Sequence, residues 1–344
     1  MLIPFEIDTE SLETKAGIPV NPDVKVLHDN FLDIWLRCGI LAYNGNNFCD
    51  SKLSSAIDAM PIALKNKWLA AISEYPIIKS SLSNWNGEIS KDIISNIKEK
   101  PSVLIVEEAK AFVDFEVPED DYSKIDKVNN VEVVKFKYST QSEFFKVAKD
   151  KSYSHFKKSE PFEVIWKERF HWLAASENIK HISIVDRFAM INHLEWDHRK
   201  GISGLERFIR LLNTSATSKK YLKLFTSWGK DQSRYSNKDE IISEFCRSIK
   251  EIIEKIPNKK ISKLFIHILR DHDFGIDSHD RHIRFGKAYI WDLGKGLACF
   301  DGNTCCNSKL TATFKAGLDV TNEYIAKENA LEANKDYSHK KIEI

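Results

Sequence analysis

No run of apolar residues in this chain approaches the roughly 18 needed to cross a bilayer. Its start, "MLIPFEIDTESLE", has neither the basic segment nor the continuous apolar segment of a secretory leader. The expected compartment is therefore the cytosol, with no membrane partner. Cysteine is sparse: Cys38, Cys49, Cys246, Cys299, Cys305 and Cys306 show no C-x-x-C spacing, and two are adjacent. That pattern suits neither a zinc site nor a disulfide framework, so reduced packing thiols are expected. An excess of one charge sign is also missing. Lys+Arg 51 against Asp+Glu 50 leaves a formal net charge of +1, so any anion-binding surface has to be local. There is no repeat of fixed period.

What is present is a soluble, globular composition, 42% hydrophobic and 29% charged over 344 residues, enough for two domains with proper cores. Residues 1–22, with Pro4, Pro19 and Pro22, are expected to form an irregular lead-in. Residues 23–115 read as a first α/β unit. There "VKVLHDNFLDIWLRCGIL" predicts a strand running into a helix with Phe31, Ile34, Trp35 and Cys38 on one face. "KLSSAIDAMPIALKNKWLAAISEY" predicts helix, started or broken at Pro61, and "SVLIVEEAKAF" a buried strand feeding a short helix. Residues 116–150 are an expected connector with a short strand, "VEVVKFK", and a helix capped at Ser139 or Ser142. Residues 151–325 alternate strands with helices and end in two strands joined at Gly286-Lys287. Residues 326–344 are an expected polar tail. The fold class is α/β, in two units, the second with a mostly parallel sheet and a terminal antiparallel hairpin.

The hairpin carries the densest chemistry. In "DSHDRHIRFGKAYIWDLGKGL", Asp277 to Leu297, the two-residue strand period puts His279 and Arg281 on one face. There an imidazole and a guanidinium reach a single phosphate. Phosphoryl transfer needs a nucleophile and charge stabilisation, and this pair supplies both. Arg187, Arg284, Lys287 and Lys295 are further candidates for phosphate contact. Asp186 and Arg187, at the carboxyl end of "SIVDRF", are expected near the hairpin in the same sheet. Asp186 reads either as a carboxylate orienting His279 or as a cap with an ion-paired arginine. The hairpin itself also admits two other readings: a salt-bridged surface strand involving Asp280, Arg281, Arg284 and Asp292, or a phosphate-binding site without catalysis.

"HDRHIRF" followed by a strand and "DLGKGL" resembles the His-Asp-Arg motif of the phospholipase-D-like superfamily. The closer likeness is to its minimal branch, which includes the C-terminal domains of MIT-domain proteins and bacterial relatives. The resemblance covers roughly residues 160–310. It implies that His279 matches the attacking histidine and Arg281 the phosphate-binding cation, with no metal required. Gly286 stands where the superfamily has an aspartate, and "ISIVDRF" stands where a second motif would be. In the superfamily the second motif comes from the same chain or from a dimer partner, so a homodimer is a further expectation.

In the first unit, Asp29 is expected at the end of one strand and Glu107 and Glu108 at the end of another. Converging carboxylates there would hold Mg²⁺ or Mn²⁺. This is similar to the PIN-like nuclease plan, in which clustered acids activate water. Asp29 also reads as a helix cap. "NHLEWDHRKG" offers His193, Glu195, Asp197 and His198 as a metal site or a solvated loop, and His267 reads as a core histidine. Trp196 and Trp228 are candidate stacking platforms. The loop from Trp228 to Lys238, with Lys230 and Arg234, is the best stretch for nucleic-acid contact. Together the resemblances imply a nucleic-acid-directed phosphodiesterase, a nuclease-type effector of bacterial conflict or phage defence. The alternative is an inactive phosphate- or nucleic-acid-binding scaffold subunit of a larger defence complex, with other protein subunits as partners.

Overall fold

Asn21 and Pro22 decide where the first long helix begins. The Asn21 side chain accepts the Asp23 backbone N–H at 3.0 Å, and Pro22 stands in the first turn, where its missing N–H costs nothing. The helix, α1 (Pro22–Cys38), buries His28, Phe31, Leu32, Trp35 and Cys38, and Gly39 starts strand β2 (Gly39–Tyr43). The predicted strand-then-helix is thus a helix followed by a strand. The alternation at Val24 and Val26 is incidental, since Val26 is exposed, and the helical period of the aromatic face prevails.

A computed structural model describes residues 1–12, 21–80, 89–90, 102–152, 155–157, 159–228, 238–274, 281–302, 311–334 and 339–343. The chain divides into two units, Met1–Lys151 and Ser152–Ile344. In the first, β1 (Ile3–Ile7) lies at the centre of a six-stranded sheet. It is flanked by β2 and by β4 (Ser102–Val106), both parallel to it. The expected lead-in therefore holds a central strand. Pro4 is tolerated because it pairs only on the β2 side, the β4 register beginning at Phe5. Beyond β2 lie α2 (Lys52–Asp58), α3 (Ile62–Glu74), with Pro61 in its cap position, and β3 (Ile77–Lys79).

After β4 come α4 (Glu108–Phe115), β5 (Ser123–Asp126), β6 (Val131–Lys135) and α5 (Glu143–Ser152). The expected connector belongs to this sheet, whose order is β3-β2-β1-β4-β6-β5, with β5 alone antiparallel. The fully buried Glu132 fixes its end. Its carboxylate accepts from the Ser123 and Ser142 hydroxyls and from the Glu143 and Phe144 backbone N–H groups, so four donors hold one buried charge. Ser142 caps α5 by accepting from Phe145 N.

The second unit opens with α6 (Phe162–Ile165), a π-turn over Trp166–Phe170 and α7 (His171–Ala175). Phe162, Ile165, Trp166, Phe170 and Leu173 are buried, each such side chain contributing roughly 1.5–3 kcal/mol. There follow β7 (His181–Val185), α8 (Ala189–Leu194), α9 (Gly204–Ser215), β8 (Lys220–Ser227), α10 (Lys238–Lys255) and β9 (Ile261–Leu269). The strands β7, β8 and β9 are parallel. The hairpin β10 (His282–Phe285) and β11 (Tyr289–Leu293) pairs antiparallel with β7. Then come β12 (Ala312–Ala316), α11 (Leu318–Ala333) and β13 (His339–Glu343).

The sheet order is β12-β11-β10-β7-β8-β9-β13. A parallel centre thus carries antiparallel strands on both flanks. The expected polar tail supplies the end of α11 and an edge strand paired with β9. Among the described residues, no helix is long and apolar enough to cross a membrane.

Candidate functional site

Strand β7 is buried from Ile182 onward, and its first residue beyond the carboxyl end is Asp186. The Asp186 backbone N–H donates to Phe225 O at 3.0 Å, which holds it in the β7–β8 ladder. Its carboxylate is 1% exposed and fully engaged: Oδ2 accepts Leu297 N at 2.7 Å and Oδ1 accepts Phe188 N at 3.0 Å. Burial pushes its pKa up, and these two N–H groups, with Arg281 and Arg187, pull back only part of that shift.

Gly296 makes this closeness possible. Its φ of +57° favours glycine, and a Cβ there would stand 2.2 Å from Asp186 Oδ2 and 2.8 Å from Arg281 Cδ. The short helical turn it starts, Gly296–Phe300, runs to Asp301, whose carboxylate accepts Gly204 N at 2.6 Å. Burial raises Asp301 to about 6, and the nearby Asp186 charge adds to the rise.

Arg281 comes to the same corner from the start of the hairpin. Its Nε lies 4.0 Å from Asp186 Oδ1, too far for a hydrogen bond, and is buried with no acceptor. The guanidinium carbon sits 4.7 Å from the centre of the Phe188 ring. Arg187 faces the same ring at 4.4 Å, and its own Nε is also buried without an acceptor. A buried N–H without an acceptor costs about 1–3 kcal/mol, so this corner holds donors that an oxyanion would satisfy.

Of the residues singled out from sequence, Asp186, Arg281 and Arg187 are brought together. His279 lies two residues before Arg281 and outside the described residues, as do Lys230 and Arg234. Lys295 is exposed and directly precedes Gly296. Trp228 directly follows β8, with Lys238 over its ring at 5.7 Å.

Arg284 is engaged elsewhere: its guanidinium grips Glu328 of α11, which His282 also meets at 3.3 Å. Burial would push Glu328 up, but the hydrogen bonds from His282 and Arg284 outweigh it and hold the carboxyl at about 2. Arg284 is thus a structural tie to a helix 44 residues away. Asp292 likewise pairs with Lys315 and accepts from Tyr324. Lys287 and Gly286 occupy the hairpin turn, at the amino end of β7, where Gly286 N donates to His181 O. The φ of +62° at Gly286 favours glycine. A carboxylate at 286 would stand at the far end of β10 from Arg281.

In the first unit, Asp29 is not at a strand end but within α1, paired with Lys67. Glu107 does follow β4, where its carboxylate caps α4 by accepting from Ala109 N and Lys110 N; Glu108 is exposed in the first turn. Among the described residues, no group of three or more His, Cys, Asp or Glu could hold a metal ion. The three carboxylates proposed for Mg²⁺ or Mn²⁺ therefore do not fit one.

The carboxylate that does stand at the centre of that sheet edge is Asp8, directly after β1. It is fully buried, paired with Lys110 at 2.6 Å, and accepts from Glu10 N and Ile89 N. The alternating run "IPFEI" ending in Asp is the signal that locates it, and Pro4 masks that signal. In "NHLEWDHRKG", His193 is buried in α8 between the Ser203 and Ser248 hydroxyls, and Asp197 pairs with Arg199. Trp196 donates to Gly201 O at 3.0 Å, and His267 stacks on Phe225 in the core. No protein-family model matches the chain and no curated protein matches it, so the site rests on its geometry.

Proposed function

We propose that the second unit acts on phosphodiesters of nucleic acid at the corner where Asp186 and Arg281 meet. The observation that carries this reading is the Arg281 Nε, buried without an acceptor beside a carboxylate whose oxygens are already engaged. A guanidinium so placed is a ready donor for the non-bridging oxygens of a phosphate, where its planar fork binds two at once.

In this reading His279 attacks phosphorus. A P–N bond forms as the P–O bond to the leaving group breaks and the departing oxygen takes a proton from solvent. Water then adds its OH to phosphorus, the P–N bond breaks, the phosphomonoester leaves and the remaining proton returns to solvent. Arg281 offsets charge on the equatorial oxygens, and Asp186 anchors the Gly296 turn against which Arg281 packs. The test is incubation of the pure protein with labelled DNA and RNA, in Mg²⁺, in Mn²⁺ and in chelator. Cleavage that survives chelator and is lost in His279→Ala supports the reading. No cleavage in any condition removes it.

A second reading, phosphate or nucleic-acid binding without catalysis, as a scaffold subunit, draws on Gly286, which leaves the motif without its aspartate. In that case Arg281→Ala weakens nucleic-acid binding while His279→Ala leaves it intact.

A further inference from the structure

We propose that Arg187 is the second phosphate-binding cation of this site, so that a single chain assembles the anion pocket without a second copy. The inference rests on the reading that phosphate binds at Arg281. It goes beyond that reading by naming what replaces the missing second motif.

Arg187 follows Asp186 at the carboxyl end of β7. Its backbone is pinned there, because Arg187 O accepts Ser227 N at 2.9 Å and the next residue, Phe188, donates its N–H to Asp186. The Arg187 and Arg281 guanidinium carbons lie 4.4 and 4.7 Å from one ring centre, so they are no farther apart than about 9 Å. A phosphate bridging two guanidiniums through ordinary hydrogen bonds puts their carbons up to about 8 Å apart. The range that this bound allows includes one phosphate held between the two forks.

The existing partners leave room for it. Arg187 NH1 is 3.8 Å from Asp271 Oδ2 and Arg281 Nε is 4.0 Å from Asp186 Oδ1, both beyond hydrogen-bond length. Each guanidinium keeps a buried Nε–H without an acceptor, and Trp228 Nε1, at the end of the neighbouring strand, is in the same condition. Buried donors normally find acceptors. Three without one, at the carboxyl ends of adjacent strands β7 and β8 and at the start of the hairpin, are donors that an oxyanion would satisfy. Backbone N–H groups engage both oxygens of Asp186, so neither is a free acceptor competing for the Arg281 donors.

The test titrates the full-length protein with inorganic phosphate by calorimetry, with a short single-stranded oligonucleotide as a second arm and sedimentation of the same samples. The expected result is one phosphate per chain with no change of oligomeric state. Arg187→Gln and Arg281→Gln should each weaken binding about tenfold or more, with Arg187→Lys in between because it keeps the charge and loses the fork. Circular dichroism and melting of each variant confirm folding. The proposal is overturned by phosphate affinity unchanged in folded Arg187→Gln and Arg187→Lys, by binding only in a dimer, or by no phosphate binding in the wild type. Phosphate held through both arginines with no cleavage of DNA or RNA sinks the enzyme reading and leaves this inference standing. Cleavage indifferent to Arg187→Gln does the reverse.

Discussion

Two carboxylates stand at the same place in two different sheets. Asp8 follows β1, which is parallel to both neighbours, and Asp186 follows β7, which is parallel to β8 and antiparallel to β10; both stand at the carboxyl end of a strand, where α/β proteins bind ligands. Both are buried and both accept two backbone N–H groups. The difference lies in the cation. Lys110 touches Asp8 at 2.6 Å and closes it, whereas Arg281 stops 4.0 Å from Asp186 with its Nε unused, and Arg187 lies 4.4 Å from the same Phe188 ring that Arg281 meets. A carboxylate at a sheet edge is thus not a site by position alone; the state of its nearest cation separates a structural pair from a binding corner.

The comparison breaks most visibly at Asp8. Asp8→Ala takes from Lys110 its buried partner, leaving it only Glu10 at 3.4 Å, and takes from Glu10 N and Ile89 N their acceptor, so it should cost about 3–5 kcal/mol in denaturant unfolding. A loss under about 1 kcal/mol would mean that Glu10 alone satisfies Lys110 and that Asp8 is not a structural tie.

Acid sharpens the contrast next. Burial lowers His28 in the first unit and His193 in the second from 6.5 to about 4. A histidine held neutral in the fold gives its full stability above pH 6.5 and loses it as pH falls toward 4, up to about 3 kcal/mol each. The second unit also carries Glu328, held at about 2 against 4.5; that contribution is complete above pH 4.5 and is lost as pH falls toward 2. Limited proteolysis at stepped pH, with fragments assigned to each unit, should show the first unit weakening below pH 6.5. In the second, Asp301, raised to about 6, gains stability as pH falls from 6 toward 3.8 and offsets His193, so its net loss comes below pH 4.5 through Glu328. Weakening of the first unit confined to pH below 4 would remove His28 from the account.

Gly296→Ala is the next smaller effect. The strained φ and the contact with Asp186 together should cost about 1–3 kcal/mol, and phosphate binding should fall further than stability does. Unchanged binding in a folded Gly296→Ala would detach the turn from the site. The smallest effect belongs to the exposed Arg37–Asp33 pair on α1, where Asp33→Ala should change stability by about 0.5 kcal/mol or less. A melting curve shifted well beyond that would mean that α1 depends on the pair.

Much of this was legible in the residues. The apolar runs of β4, β7, β8 and β9, the amphipathic faces of α9 and α10 and the turn at Gly286 carry their periods and turn chemistry openly. Asp186 beside Arg281 could be expected from a strand end and a hairpin in one sheet. Other features depend on partners far along the chain. Nothing near Arg284 says that Glu328 takes its guanidinium, and nothing in "DLGKGL" says that Gly296 lies against Asp186. Pro4 hid β1, because proline in a short run argues against a central strand until the one-sided pairing is seen. Val24 and Val26 imitated a strand within a helix that Asn21 and Pro22 start.

The most direct measurement compares Arg281→Gln with Lys110→Gln, each shown to be folded, against the wild type on labelled single-stranded DNA and RNA in chelator. The account predicts that Arg281→Gln loses cleavage by about 100-fold or more, as removal of one charge-stabilising donor does, while Lys110→Gln cleaves as the wild type does. Cleavage lost with Lys110→Gln and kept with Arg281→Gln would place the chemistry at the Asp8 edge and contradict the account.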